Sequence, residues 1–290
     1  MENQYSDSRR TVIKSSLFGL LAVSVPNIIY AKNIIRTTGV EGINDVFHRY
    51  PSIDDKIVAE VVGASHFNFE RVKELVTVRP ELSRATWDWS FGDWETALGA
   101  ASHVGRRDIA NFLIDHGARP DIFTFAMFGQ YDIVKAIIQS TPGIESNGGP
   151  HGISLLRHAK AGLRSNYGVD LTEKQKEDSN KLISYLEKLG TADPQEANIE
   201  MSESDKDKYL GDYMYGEGPN DGLTVRINMW KRLALGKLGK SGGSLNQKSP
   251  GVFTYNGTTS VEVKFSMEDD KVVSLTITEP DLTLKAIKVT

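Results

Sequence analysis

The side chains able to do chemistry in this 290-residue chain are six histidines and 38 carboxylates, with no cysteine among them. The missing thiol removes disulfides, thiolate zinc sites, iron–sulfur clusters and cysteine nucleophiles together. Any metal or acid–base chemistry must therefore come from imidazole and carboxylate. The histidines are His48, His66, His103, His116, His151 and His158. None forms His-x-His or His-Glu-x-x-His, so no short stretch supplies two ligands to one ion. His103 and His116 fall at the ends of helical segments, where a cation complements the helix dipole, and read as structural. His151 and His158, with Asp88 and Asp93, form the set nearest to a catalytic constellation, but not a complete one. Spacing alone thus predicts no catalytic residue, no metal ligand and no cofactor, and favours a binding protein over an enzyme.

Two glycine-rich stretches invite a phosphate-binding reading and fail it. Ala234 to Ser241 satisfies a relaxed phosphate-loop pattern, but Gly242, Gly243, Pro250 and Gly251 follow where a helix N-terminus would have to face the phosphates. Gly216 to Gly222 has the wrong spacing for a dinucleotide loop and reads as a hairpin turn. Lys240-Ser241-Gly242 is similar to the third motif of penicillin-recognising enzymes, yet no Ser-x-x-Lys follows residue 31 to supply their nucleophile. With 39% hydrophobic and 25% charged residues the chain is an ordinary globular protein, long enough for two domains. A formal charge of -4 argues against nucleic acid as a partner held by bulk positive charge.

The N-terminus reads as an address. Arg9-Arg10 is followed by Val12 and Lys14, then by an apolar run from Ser15 to Tyr30 that Pro26 interrupts. This resembles the twin-arginine export signal of bacteria, with a passable cleavage site at Ala31. The resemblance implies a periplasmic or otherwise exported protein that is folded before transport, often with its cofactor already inserted. An uncleaved segment would be its one link to the membrane.

The next region, 50–193, has helical periodicity. Gly105-Arg-Arg-Asp108-Ile109-Ala110 aligns with Gly129-Gln-Tyr-Asp132-Ile133-Val134, and Asn68 to Val76 and Leu182 to Asp193 fit the same template. Ahead of the second copy, Thr96, Leu98 and Ala101 occupy matching places in the Thr-Pro-Leu-His-x-Ala pattern, so the region resembles the ankyrin repeat. Ala97 and Gly99 depart from the pattern, and the copies lie 37 and 24 residues apart against a family period of about 33. The resemblance implies a helical repeat stack with a concave binding face. Trp87, Trp89 and Trp94 crowd the place where a finger would project, so Trp87, Asp88, Trp89 and Trp94, with Arg106 and Tyr131 on exposed turns, are the expected protein-contact residues.

After a polar linker over 194–207 the period changes to alternation. Leu223 to Met229, Ser260 to Phe265, Val272 to Ile277 and Leu282 to Val289 read as strands of an antiparallel β domain over 208–290, a meander or partial barrel. Tyr209-Leu-Gly-Asp-Tyr213 and Val273 to Ile277 resemble the accessory β domain of penicillin-recognising serine hydrolases, which carries no catalytic residue. The expected fold class is therefore α+β multidomain: a signal peptide over 1–31, a linker or capping segment over 32–49, an ankyrin-like stack, and the β domain. The expected function is an exported non-enzymatic module that binds another protein. The alternative is a periplasmic hydrolase or small-molecule binder with its site between the helical and β parts.

Overall fold

The computed structural model describes residues 51–164, 170–194, 198–240 and 242–289. The Arg9-Arg10 export motif, the segments over 1–31 and 32–49, and His48 lie outside the described residues.

Several helices start where a short polar side chain takes the first free amide. α1 (Asp55–Ala64) and α2 (Phe69–Val78) form the first pair, α2 being capped by Asn68, whose side chain accepts from the Arg71 amide. A short hairpin, β1 (Thr86–Asp88) and β2 (Trp94–Thr96), then leads into α3 (Ala97–Val104) and α4 (Arg107–Asp115). Thr96 caps α3 by accepting from Gly99 N at 2.8 Å. Gly105 (φ 86°) turns the chain into α4; a Cβ there would also lie 2.2 Å from the Ala161 carbonyl oxygen, so glycine is required twice over. α5 (Ile122–Met127) and α6 (Tyr131–Ser140) follow, then α7 (Leu155–Ala161) and the long α8 (Glu173–Leu189), which opens on a capping box between Thr172 and Gln175. Ile109, Leu113, Val134, Leu155, Leu182 and Leu186 bury the inner stripes.

These helices do not make the expected ankyrin-like stack, because the pairs are too unequal to repeat. α5 has six residues and α8 seventeen, and among the described residues only the β1–β2 hairpin projects like a finger. The chain from Asp55 onward clusters as one compact unit. Within the expected linker, α9 (Glu203–Asp207) forms, and Ile199 N donates to Gln247 O at 2.9 Å.

The β region closes on itself. β3 (Gly211–Met214), β4 (Gly222–Ile227), β5 (Leu233–Lys237), β6 (Gly243–Ser249), β7 (Val252–Tyr255), β8 (Thr258–Glu268), β9 (Lys271–Thr278) and β10 (Thr283–Lys288) pair antiparallel in order. β10 then pairs with β3 through Ile287↔Met214 and Lys288↔Tyr213, giving an eight-stranded closed barrel where a meander or partial barrel was expected. Closure leaves no free edge and depends on accumulated twist and tilt, which alternation along single strands does not encode. The interior is filled by Tyr209, Tyr213, Phe253, Tyr255 and Phe265, with ring centres 4.9 to 5.8 Å apart where they meet edge-on. Its polar tips are satisfied: the Tyr213 hydroxyl donates to Tyr209 O at 2.6 Å, and Gly243 N donates to the Tyr255 hydroxyl at 2.9 Å.

Candidate metal centre

Four segments far apart in sequence bring imidazoles and a carboxylate together. Alternation along β2 turns Trp94 and Thr96 outward and Glu95 inward, where it is 1% exposed. His103 comes from the last turn of α3, His66 from the connection between α1 and α2, and His151 from a single 3-10 turn, Pro150–Gly152. Their candidate ligand atoms all lie within 4.8 Å of one another. Glu95 Oε1 is 3.0 Å from His103 Nε2 and 3.3 Å from His151 Nε2, and Glu95 Oε2 is 3.4 Å from His66 Nε2. An ion about 2.1 Å from each ligand would set ligands about 3.4 Å apart in a tetrahedral shell, or about 4.2 Å apart where they are opposed in a larger one, so the cluster must contract to bind.

The outer atoms of His66, His151 and Glu95 are already committed, and this decides what their inner ones carry. His66 Nδ1 lies 3.1 Å from Gly63 O, and His151 Nδ1 lies 2.7 Å from Asp93 Oδ2. A carbonyl and a carboxylate only accept, so both rings hold their proton at Nδ1 and direct Nε2 inward. Asp93 also accepts from His151 N at 3.0 Å and from Asn256 Nδ2 at 2.6 Å. Asn256 stands on the turn between β7 and β8, so the barrel fastens the carboxylate that fastens the histidine. Trp89 Nε1 donates to Glu95 Oε2 at 2.7 Å and leaves Oε1 for the cluster. A carboxylate or carbonyl behind each imidazole is the usual outer support of a metal-bound histidine.

Two inner atoms remain unsatisfied. Glu95 Oε1 and His103 Nε2 are buried and form no hydrogen bond, although they lie within 3.0 Å of each other. His158 Nε2, on α7, is a third buried atom without a partner. Each such atom costs about 1–3 kcal/mol in desolvation unless something pairs with it. His151 adds backbone strain, with φ 58° in the left-handed region, which a non-glycine residue adopts at a cost of about 1–3 kcal/mol.

Without a cation the cluster manages its charge with protons. Burial would raise the Glu95 carboxyl, but the histidines around it hold it well below the usual carboxylate range. Burial likewise opposes charge on His151, yet its bonds to Asp93 and Glu95 prevail and raise it to about 10. Burial lowers His103, and it lowers His158 to about 4, so both stay neutral. Three imidazoles and one carboxylate suit a divalent transition metal from manganese to zinc better than calcium or magnesium, which prefer all-oxygen shells.

His66 and Glu95 were not singled out by sequence reasoning, and His103 was read as a helix-end cation. The one available signal was the alternation Asp93-Trp94-Glu95, which puts two carboxylates on one face of a strand entering an apolar helix. Of the four-residue set read from sequence, His151 and Asp93 do meet, whereas Asp88 instead accepts from Gly92 N at 3.1 Å. His116 behaves as a helix-end residue, its Nδ1 lying 2.7 Å from Phe112 O.

The expected contact residues scatter. Trp94 is 62% exposed, whereas Trp87 and Asp88 are half-buried and Trp89 faces Glu95. Arg106, expected on an exposed turn, is buried, with its guanidinium on Asp108 at 2.6 and 2.8 Å and on Phe67 O at 2.6 Å. Tyr131 is half-buried against Tyr185. A cavity of about 540 Å³ lined by Arg107, Tyr131, Lys174 and Lys181 lies elsewhere on the helical region.

No protein-family model matches this chain, and no curated protein matches it. Among the described residues no helix is long and apolar enough to cross a membrane.

Proposed function

We propose that this is an exported metalloprotein that holds one divalent transition-metal ion on His66, Glu95, His103 and His151. The observation that carries the reading is the convergence of three imidazole nitrogens and a carboxylate on one part-buried point, with the Glu95 Oε1 and His103 Nε2 atoms buried and forming no hydrogen bond. Protons are the rival occupant: His151 Nε2, when protonated, faces Glu95 Oε1 at 3.3 Å and competes for that oxygen, so metal analysis is what separates the two. The resemblance of Arg9-Arg10 and its surroundings to a twin-arginine signal supports the same reading, since that route carries folded cargo, often with its cofactor already inserted. Four protein ligands close a tetrahedral shell on zinc, but leave a coordination position for water or a small molecule on manganese, iron or cobalt when the shell expands to five or six. The test is elemental analysis of the purified full chain, with one equivalent of metal expected; metal well below stoichiometry after loading and desalting refutes the reading.

The highly exposed Trp94 supports a second reading, a docking point for a protein partner beside the metal centre. If Trp94→Ala leaves capture of that partner unchanged while the fold survives, this reading fails.

A further inference from the structure

His158 is the buried imidazole that the four-ligand set does not use. Its side chain is fully buried on α7, and its Nδ1 lies 2.9 Å from Ser154 O. A carbonyl only accepts, so the proton is on Nδ1 and Nε2 carries a lone pair. That lone pair has no hydrogen-bond partner, and it belongs to the same neighbourhood as the centre, with ring centres 6.4 Å apart between His158 and His103. The ring is held in place by Phe123, at 4.8 Å between centres, and by Gly149, where a Cβ would come within 2.9 Å of Cε1. A metal ion would satisfy Glu95 Oε1 and His103 Nε2 and leave, of the unpaired buried side-chain atoms among the described residues, Nε2 of His158 still needing a donor. A metal-bound water is such a donor. Its oxygen, about 2.1 Å from the ion, reaches an acceptor about 2.8 Å further on, outside the ligand shell.

We infer that His158 accepts a hydrogen bond from a water on the metal, so the inner coordination position takes proton-bearing ligands (water, an alcohol, a hydroperoxide) in preference to aprotic anions. This rests on the metal reading above and goes one step inward from it. A neutral lone pair beside the open position would stabilise a ligand that donates and repel one that cannot. His158 is thus a positioning residue that selects what binds.

The experiment uses the full chain loaded with Co(II), whose visible spectrum reports the coordination shell, titrated with azide and with pH. His158→Leu removes the acceptor; His158→Gln replaces it with a side-chain carbonyl of similar reach. The expected result is one equivalent of Co(II) in all three proteins. Azide should bind about fivefold more tightly in His158→Leu, as removal of one neutral hydrogen bond implies. The pH midpoint of the bound water should fall in the same variant, because the acceptor stabilises water over hydroxide. His158→Gln should stay near wild type in both respects. Equal azide affinity and midpoint in wild type and His158→Leu overturn the inference while leaving the metal reading intact. Loss of Co(II) from folded His158→Leu and His158→Gln makes His158 a ligand and also overturns it. Wild type that takes up neither Co(II) nor any of Mn(II), Fe(II) and Zn(II) sinks the metal reading itself. If His158→Leu does not fold, nitrogen resonances of the Zn(II)-loaded wild type decide. Nε2 of His158 should be unprotonated and uncoordinated; a protonated or metal-bound Nε2 refutes the assignment.

Discussion

The barrel interior and the histidine cluster are both buried and both contain polar groups, yet they treat those groups in opposite ways. In the barrel, Tyr213 and Tyr255 bury their rings among Phe253 and Phe265, and each hydroxyl meets a backbone partner. In the cluster, Glu95 Oε1, His103 Nε2 and His158 Nε2 are equally removed from water and have none. A fold built only for stability resolves its buried polar atoms, because each unresolved one is destabilising. The cluster is also where a carboxylate, Asp93, stands behind an imidazole, His151. The contrast teaches that the barrel is a packed support and that chemistry is concentrated at the helical end, with Asn256 as the strut between them.

The largest effect separates the two regions by stability. Phe265→Ala should cost about 3–5 kcal/mol in denaturant unfolding, through lost ring contacts and an unfilled cavity, while the folded fraction still takes up one metal. Metal loss in that variant would show that the barrel is part of the centre and not its support. Glu95→Gln should do the reverse. Metal affinity, read by chelator competition, should fall at least about 100-fold with the fold retained.

Asp93→Asn sharpens the link between the regions. It weakens the acceptor behind His151 Nδ1 and should lower metal affinity by about 10–100-fold. Asn256→Ala should act in the same direction and less strongly, since it removes one of the bonds that hold Asp93. If Asn256→Ala changes nothing, the barrel turn merely touches the centre.

A subtler effect concerns pH. In the metal-free protein His151 is raised to about 10 from an ordinary value of 6.5. Its contribution to stability is therefore fully present below pH 6.5 and is lost as pH rises toward 10. The loaded protein has exchanged that proton for metal and should not show the alkaline loss. Thermal melts of both forms between pH 6 and 10 would test this, and parallel curves would count against the exchange. The smallest effect is Trp94→Ala, expected to change stability by no more than about 0.5 kcal/mol because the ring is largely in solvent.

Local pattern made parts of this molecule legible. The apolar stripe Ile109, Leu113 and the turn at Gly105 located α4, and alternation from Ser260 to Phe265 located the core of β8. The same reading extended unequal helix pairs into a repeat stack, because a shared stripe says nothing about whether units have equal length. It left the barrel open, because the closing pair joins β10 to a strand of only four residues. The centre was the least legible part. Its ligands at 66, 95, 103 and 151 come from a connection, a strand, a helix end and a strained turn, so no spacing rule applies to them. Only the pairing of His151 with Asp93 was anticipated, and there as half of a catalytic set rather than as a ligand and its support.

The most direct measurement is metal stoichiometry of the full chain and of Glu95→Gln, each loaded separately with Mn(II), Fe(II), Co(II) and Zn(II), desalted and analysed for metal and protein. The account predicts about one ion per wild-type chain for at least one of these metals and loss of that ion in the variant. Folded wild type that retains none of them, or a variant that retains as much as wild type, would contradict the central claim that the Glu95 cluster is a metal centre.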